Sequence, residues 1–208
     1  MNPPEKMTAE EFCERRMDLP EGGRWHELHE GRPVLLQAPD DQHGNIVMNL
    51  SRSLATWFRT RLPKGTQYAV HEIGILVRQN PDTVYMPAIS LFDGGPLFAQ
   101  TDLQIATQVP RLIVEVASSN DRRKDLQFRT NAYLRMGVDM IWIPDPHRKE
   151  IQVLRRSLHT LVLGERQQLE GGHLLPDFQT TVRDIFAQPE WWSGSISSGT
   201  ETKHSAEI

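Results

Sequence analysis

The chain has 208 residues, of which 38% are hydrophobic, a net charge of −4 and one cysteine, Cys13. This size allows one domain with a real core, and the single cysteine excludes an intrachain disulfide. The acidic balance excludes a protein that coats nucleic acid through a global basic field, although a local basic groove stays open. Without a signal-like apolar segment or a run near the roughly 20 residues of a membrane span, we expect a cytoplasmic protein with no membrane contact.

The chain begins with a short helix followed by a hairpin. Thr8 and Glu11 stand three residues apart, as in a capping box, and predict a helix that runs to about Met17. Residues 24–30 and 32–38 then flank a glycine, which predicts two antiparallel strands.

A long helix and a second hairpin follow. Residues 41–62 carry apolar side chains at helical spacing, which predicts the longest helix of the front half. Residues 68–78 and 84–92 are two apolar segments joined by turn-forming residues, and we predict a strand for each. Residues 93–109 are expected to form a loop.

The back half predicts a crossover between parallel strands. Strand 111–117, helix 121–136 and strand 138–144 follow one another as a βαβ unit, so part of the sheet should be parallel. A further hairpin is expected at 149–155 and 159–163. We therefore predict an α/β fold with a mixed sheet and flanking helices over residues 7–187, and a disordered tail over 188–208.

Glu115 is the first residue of chemical interest, because it interrupts an apolar strand. A carboxylate in such a place is costly to bury unless it is paired or binds a metal. A lone glutamate in a strand usually pairs with a basic neighbour or faces water at a sheet edge. Here the apolar residues from Leu112 to Val116 cover both faces of the strand, and Glu115 lies near its carboxyl end, where ligands gather in α/β sheets.

Arg129 is the second such residue. Arg122 and Arg123 are interpreted as a solvated helix face, but Phe128 and Tyr133 predict partial burial of Arg129. A cation held near a strand carboxylate could orient a water or steady a phosphate.

These segments together resemble the putative restriction endonuclease family of the PD-(D/E)XK nuclease superfamily. The order and spacing of the segments carry the resemblance over about residues 7–187, more than any single motif does. The matching segments are 7–12, 25–31, 38–43, 80–84, 112–116, 137–146 and 175–178.

The resemblance implies a restriction-endonuclease-like αβββαβ core. It also implies a metal-dependent phosphodiesterase that acts on nucleic acid, and DNA is the nucleic acid we expect. Two carboxylates would hold Mg²⁺ and a lysine would orient the attacking water. Glu115 matches the second carboxylate, and Glu27 matches an upstream metal ligand. Ala88 stands where the family has its first carboxylate, and Arg129 stands where it has its lysine. The resemblance thus gives Glu115, Arg129 and Glu27 as catalytic residues, with Glu115 and Glu27 as ligands of a weakly bound or absent Mg²⁺.

Three other acids are candidates to replace the missing carboxylate. Asp93 has the wrong strand parity, and Asp82 lies too far along the strand. Glu72, on the partner strand of the hairpin, is the best placed of the three, but none is expected to restore the site.

Three functional hypotheses follow. The first is a Mg²⁺-dependent endonuclease that works through Glu115, Glu27 and Arg129. The second is an inactive nuclease fold that binds DNA or a protein partner, which the changes at Ala88 and Arg129 favour. The third is an interaction protein that forms a homodimer through the apolar helix 45–62 or through Trp191 and Trp192.

Overall fold

The computed structural model describes residues 6–61, 67–94, 104–106, 108–118, 120–156 and 158–189. Within them the α-helices are α1 Ala9–Arg15, α2 Asp41–Arg61, α3 Asn120–Met136 and α4 Val182–Phe186. The strands are β1 His26–His29, β2 Arg32–Leu35, β3 Gln67–His71, β4 Gly74–Arg78, β5 Thr83–Tyr85, β6 Ile89–Asp93, β7 Ile105–Ala106, β8 Leu112–Val114, β9 Met140–Asp145, β10 Glu150–Arg155, β11 Leu161–Gly164, β12 Gln168–Gly171 and β13 Leu175–Thr181.

The described strands form two larger sheets and one separate hairpin. The six-stranded sheet has the order β11-β10-β9-β8-β6-β3, and the five-stranded sheet has the order β2-β1-β5-β4-β7. Strands β8 and β9 are parallel and are connected through α3, as the predicted crossover requires. The predicted mixed α/β architecture is therefore confirmed.

The start of the chain also follows the prediction. Thr8 Oγ1 accepts a hydrogen bond from the Glu11 amide at 3.2 Å, and Glu11 Oε2 accepts one from the Thr8 amide at 2.8 Å. This reciprocal pair satisfies two amides that the helix cannot satisfy itself. Strands β1 and β2 pair antiparallel as expected.

The hairpin predicted at 68–78 and 84–92 is present, but each arm divides between the two sheets. Strand β4 pairs with β5 in the five-stranded sheet, whereas β3 pairs with β6 in the six-stranded sheet. The prediction of one continuous strand over 84–92 is wrong, because the chain leaves one sheet at Tyr85 and enters the other at Ile89. Pro87 lies between them and has no amide to donate to a ladder. Ala88 is consequently placed at the junction of the two sheets.

The helices α2 and α3 contribute to different parts of the core. The apolar residues of α2, Ile46, Leu50, Leu54 and Trp57, are buried in the cluster that also contains Leu112, Val114 and Trp142. On α3, Tyr133 is buried in a second cluster with Ile113 and Ile141. Because residues alternate across a strand, the odd-numbered residues of the 112–117 segment face α3.

Some elements differ from the sequence prediction. Strand β7 lies within the predicted loop 93–109 and pairs in parallel with β4, and the hairpin of β12 and β13 was not predicted. The predicted tail 188–208 lies outside the described residues from 190 onward. In the described part of the chain, no helix combines the length and apolar character needed to cross a membrane.

Candidate active site

Glu115 lies immediately after β8 and is buried, with 3% of its surface exposed. Its amide donates to the Trp142 carbonyl at 3.0 Å, which continues the parallel pairing with β9 by one residue. The side chain faces α3, like that of Ile113 two residues earlier. The sequence prediction that this carboxylate is buried at the carboxyl end of a strand is therefore met.

Arg129 joins Glu115 to Glu27. Its Nε and Nη2 atoms donate to Glu115 Oε1 at 2.9 and 2.6 Å, and its Nη1 atom donates to Glu27 Oε2 at 2.6 Å. The arginine is only 4% exposed, so this is a buried ion-pair cluster, in which removal of the cation would leave two uncompensated carboxylates. The structure thus brings together all three residues that the family resemblance singles out.

Glu27 is held by donors from three parts of the chain, namely Arg129 on α3, His29 on β1 and Met86 between β5 and β6. Its Oε1 atom accepts the Met86 amide at 2.7 Å, and its Oε2 atom also accepts His29 Nε2 at 3.0 Å. Burial alone would raise the pKa of Glu27, but the charge of Arg129 and the hydrogen bonds from His29, Arg129 and Met86 lower that pKa to about 2. The carboxylate is therefore ionised throughout the physiological range.

Two tyrosines complete the surroundings of Arg129. Tyr133, one turn further along α3, donates from Oη to Glu115 Oε1 at 2.6 Å, and burial raises the pKa of its phenol. The Tyr85 ring lies against the guanidinium, with its centroid 4.4 Å from Cζ. Burial alone would lower the pKa of Arg129, but Glu115 and Glu27 raise it well above its ordinary value. The guanidinium is therefore a fixed cation.

Ala88 lies next to the carboxyl end of β8, which Glu115 follows. The pairing of β6 with β8 ends at Ile89 and Val114. The Ala88 amide donates to the Val114 carbonyl at 3.0 Å, and Ala88 packs in the same apolar cluster as Val114. Ala88 also lines a narrow cleft together with Glu27, Glu72 and Met86.

The three acids considered as replacements have different surroundings. Asp93 pairs with Arg111 at the far end of β6. Asp82 accepts the amides of Ala9 and Asn80. Glu72 lies between β3 and β4 and not on a strand as predicted, and it is the only one of the three that lines the cleft of Glu27 and Ala88.

The fit of this site to Mg²⁺ depends on its free oxygen atoms. Both oxygens of Glu27 and Oε1 of Glu115 already accept strong hydrogen bonds, and Ala88 offers no ligand. Among the described residues, no group of three or more His, Cys, Asp or Glu side chains is close enough to hold a metal ion. Mg²⁺ requires near-octahedral oxygen coordination, so the arrangement of residues does not fit that ion.

The sequence reasoning missed three residues of the cluster, namely Tyr133, Tyr85 and His29. A signal existed for two of them. Tyr133 is four residues after Arg129 on a helix, and His29 is two residues after Glu27 on a strand, so each shares a face with a predicted site residue. The contact of Tyr85 depends on the junction between the sheets and has no local signal.

Two comparisons with known proteins found proteins similar to this chain. The sequence profile of the Uma2 family, described as putative restriction endonuclease, matches residues 9–183. The chain belongs to this family. A similar solved structure is that of a putative nuclease from Anabaena variabilis ATCC 29413, with a TM-score of 0.68, 20% sequence identity, and coverage of 86% of this chain and 97% of the other. That likeness confirms the nuclease-like fold, whereas no curated protein matches the sequence.

Proposed function

We propose that this member of the family is a nuclease-fold protein with a degenerate site, which binds DNA but hydrolyses it weakly or not at all. The observation that carries the proposal is the guanidinium of Arg129 between Glu27 and Glu115. A side-chain cation stands against the two carboxylates that the family resemblance assigns to Mg²⁺.

The chemistry of arginine supports this proposal. A guanidinium in proteins does not lose its proton, so Arg129 cannot accept one from an attacking water. Its donors point inward to Glu27, Glu115 and Tyr133, and its burial leaves little access for a phosphate. Ala88 stands where the family resemblance places the first carboxylate. Both changes lower the affinity for a divalent cation.

A second candidate is the Mg²⁺-dependent endonuclease that the family resemblance implies. The specific observation in its favour is Glu72, which lines the same cleft as Glu27 and Ala88. An active enzyme would need Arg129 to release at least one carboxylate, and Glu72 to supply the missing ligand.

A plasmid-nicking assay in Mg²⁺ or Mn²⁺ separates the two candidates. We expect no cleavage by the wild type and cleavage by the double variant Ala88→Asp, Arg129→Lys. The triple variant that also carries Glu115→Ala should be inactive, which controls for a contaminating nuclease. Cleavage by the wild type that disappears in Glu115→Ala and in Glu72→Ala would establish the second candidate instead.

DNA binding needs a separate measurement, made in EDTA so that hydrolysis cannot interfere. We expect a labelled duplex to bind with an affinity that falls as salt is raised, as phosphate contacts require. Absence of binding by both the wild type and the double variant would contradict DNA as the partner and favour a protein partner.

A further inference from the structure

The cleft that Glu27 and Ala88 line also contains an arginine whose outer donors are unused. Arg16 begins the short 3-10 helix Arg16–Asp18 after α1, and it lies half-buried at the cleft. Its Nε atom donates to the Gly23 carbonyl at 2.9 Å. Among the described residues, its two terminal nitrogens have no hydrogen-bond or ion-pair partner. Both nitrogens carry N–H donors, so the outer edge of this guanidinium is open to a ligand.

Gly23 allows Arg16 to be held in this way. The glycine has a φ of 71°, in the left-handed region that residues with a Cβ atom rarely adopt. A Cβ atom at this position would also overlap with Cγ and the carbonyl oxygen of Arg16. The backbone of Gly23 can therefore lie against Arg16 only because it has no side chain. Because this contact already holds the inner part of the arginine, a ligand would cost less of its conformational freedom.

The positive charge of Arg16 is less well compensated than that of Arg129. Burial lowers the pKa of Arg16 below its ordinary value, and the charges around it oppose this only in part. For Arg129, burial acts in the same direction, but Glu115 and Glu27 outweigh it and raise the pKa. The guanidinium of Arg16 stays charged in either case, so it lies partly out of water without a carboxylate in contact. An anion in the cleft would supply the missing partner.

The acids of the cleft do not occupy Arg16. Glu27 is paired with Arg129. Glu72 attracts Arg16 electrostatically, but it is exposed and makes no ion pair with it in the described structure. Glu72 and Trp25, which also line the cleft, have φ values of 50° and 59°. Non-glycine residues in this left-handed conformation cluster at ligand sites, which agrees with a binding role for the cleft.

We propose that Arg16 binds a phosphate group of nucleic acid in this cleft, an inference that rests on the DNA binding proposed above. The paired N–H donors of a guanidinium match the oxygen atoms of a phosphate, with which they form short, charge-assisted hydrogen bonds. Arg129 cannot provide this contact, because its donors are taken by Glu27 and Glu115. The alternative occupants are a carboxylate of a protein partner and water alone.

The test compares the binding of a labelled DNA duplex to variants of the full chain in EDTA, measured by fluorescence anisotropy at several salt concentrations. We expect Arg16→Met to weaken binding by about tenfold and to lower the salt dependence by about one phosphate contact. Arg16→Lys should recover part of the affinity, because it keeps the charge and loses the paired donors. The matched control is Arg15→Met, since Arg15 is exposed and does not line the cleft. Its affinity should stay within about twofold of the wild type.

A second variant leaves Arg16 and its contact with Gly23 in place. Glu72→Gln removes an exposed negative charge at the cleft, so it should strengthen the binding of a phosphate by about two- to threefold. EDTA removes divalent cations, so this change reports on charge and not on a metal. Unchanged or weaker binding by Glu72→Gln would place the phosphate outside the cleft and overturn the inference.

Equal affinity of Arg16→Met and the wild type for the duplex would overturn the inference and leave the DNA binding intact, with a carboxylate or water at Arg16. No binding by the wild type would overturn both. Inorganic phosphate, compared with chloride at equal ionic strength, identifies the source of the phosphate. Competition that disappears in Arg16→Met supports a site for any phosphate group, and its absence restricts the site to the phosphates of DNA. Competition that Arg16→Met leaves unchanged would contradict the inference.

Discussion

Arg123 and Arg129 lie on the same helix and both pair with carboxylates of the sheet, but their surroundings differ. Arg123 makes a bidentate pair with Asp145, at 2.7 and 2.6 Å, and its side chain is 28% exposed. Arg129 holds two carboxylates from two different sheets and its side chain is 5% exposed. The first pair connects α3 to the last residue of β9, whereas the second lies where the family resemblance implies a metal.

The carboxylate groups that these arginines bind differ in how many other hydrogen-bond donors they have. Asp145 has backbone donors from His147 and Arg148 besides Arg123, so the loss of Arg123 would leave it partly satisfied. Among the described residues, Glu115 Oε1 accepts side-chain hydrogen bonds from Arg129 and Tyr133. We therefore expect the two arginines to differ strongly when they are changed in the same way.

The largest effect is expected from Arg129→Met. Two buried carboxylates would lose their common cation, and breaking a buried pair in this way typically costs about 3–5 kcal/mol. Urea unfolding should show this loss of stability at neutral pH. A loss as small as that of Arg123→Met would mean that the cluster is not buried as described.

Acid should reveal the same cluster in the wild type. The pKa of Glu27 is about 2 in the folded chain, compared with an ordinary value of 4.5, and the difference corresponds to roughly 3 kcal/mol. Because the folded pKa is the lower one, this stability is fully present above pH 4.5 and is lost as the pH falls toward 2. In Arg129→Met, Glu27 loses the charge that lowers its pKa and should bind a proton more readily, so the stability deficit of this variant relative to the wild type should shrink on acidification. Unfolding curves from pH 7 to pH 3 for both proteins would show whether the deficit shrinks.

Tyr133→Phe should have an intermediate effect. The change removes one donor to Glu115 and keeps the aromatic ring in the core, so we expect a loss of about 1–2 kcal/mol. Thermal or urea unfolding measures it. The double variant with Arg129→Met should lose less than the sum of the single changes, since the two residues share one carboxylate. Full additivity would separate Tyr133 from the cluster.

The smallest effect is expected from Arg123→Met, at about 1 kcal/mol, because Asp145 keeps its backbone donors. Arg78→Met is a matched control, since Arg78 and Glu30 form a pair in which both side chains are largely exposed. Such pairs contribute little, so its stability should equal that of the wild type within error.

Much of the fold was predictable because its signals are local. The capping box at Thr8, the helical spacing in α2 and the βαβ order around α3 all predict the elements that the structure has. The division of the hairpin between two sheets was not predicted, although Pro87 marks the place. The hairpin of β12 and β13 was missed because its strands are rich in polar residues and show little apolar alternation.

The candidate site was predictable only in part. Glu115, Glu27 and Arg129 come from the family resemblance together with the apolar surroundings of Glu115. Neither the sequence pattern nor the resemblance indicates that Arg129 touches both carboxylates. That contact forms because β1 and β8, which belong to different sheets, both lie close to α3. Their proximity depends on tertiary packing, which no local sequence pattern shows.

The most direct test of the account is a titration with Mn²⁺, followed by electron paramagnetic resonance or calorimetry, of the wild type and of Ala88→Asp, Arg129→Lys. We expect the double variant to bind a divalent cation and to lose it when Glu115→Gln is added, while the wild type binds none at this site. Equal binding by the wild type, abolished by Glu115→Gln, would contradict the claim that Arg129 takes the place of the metal.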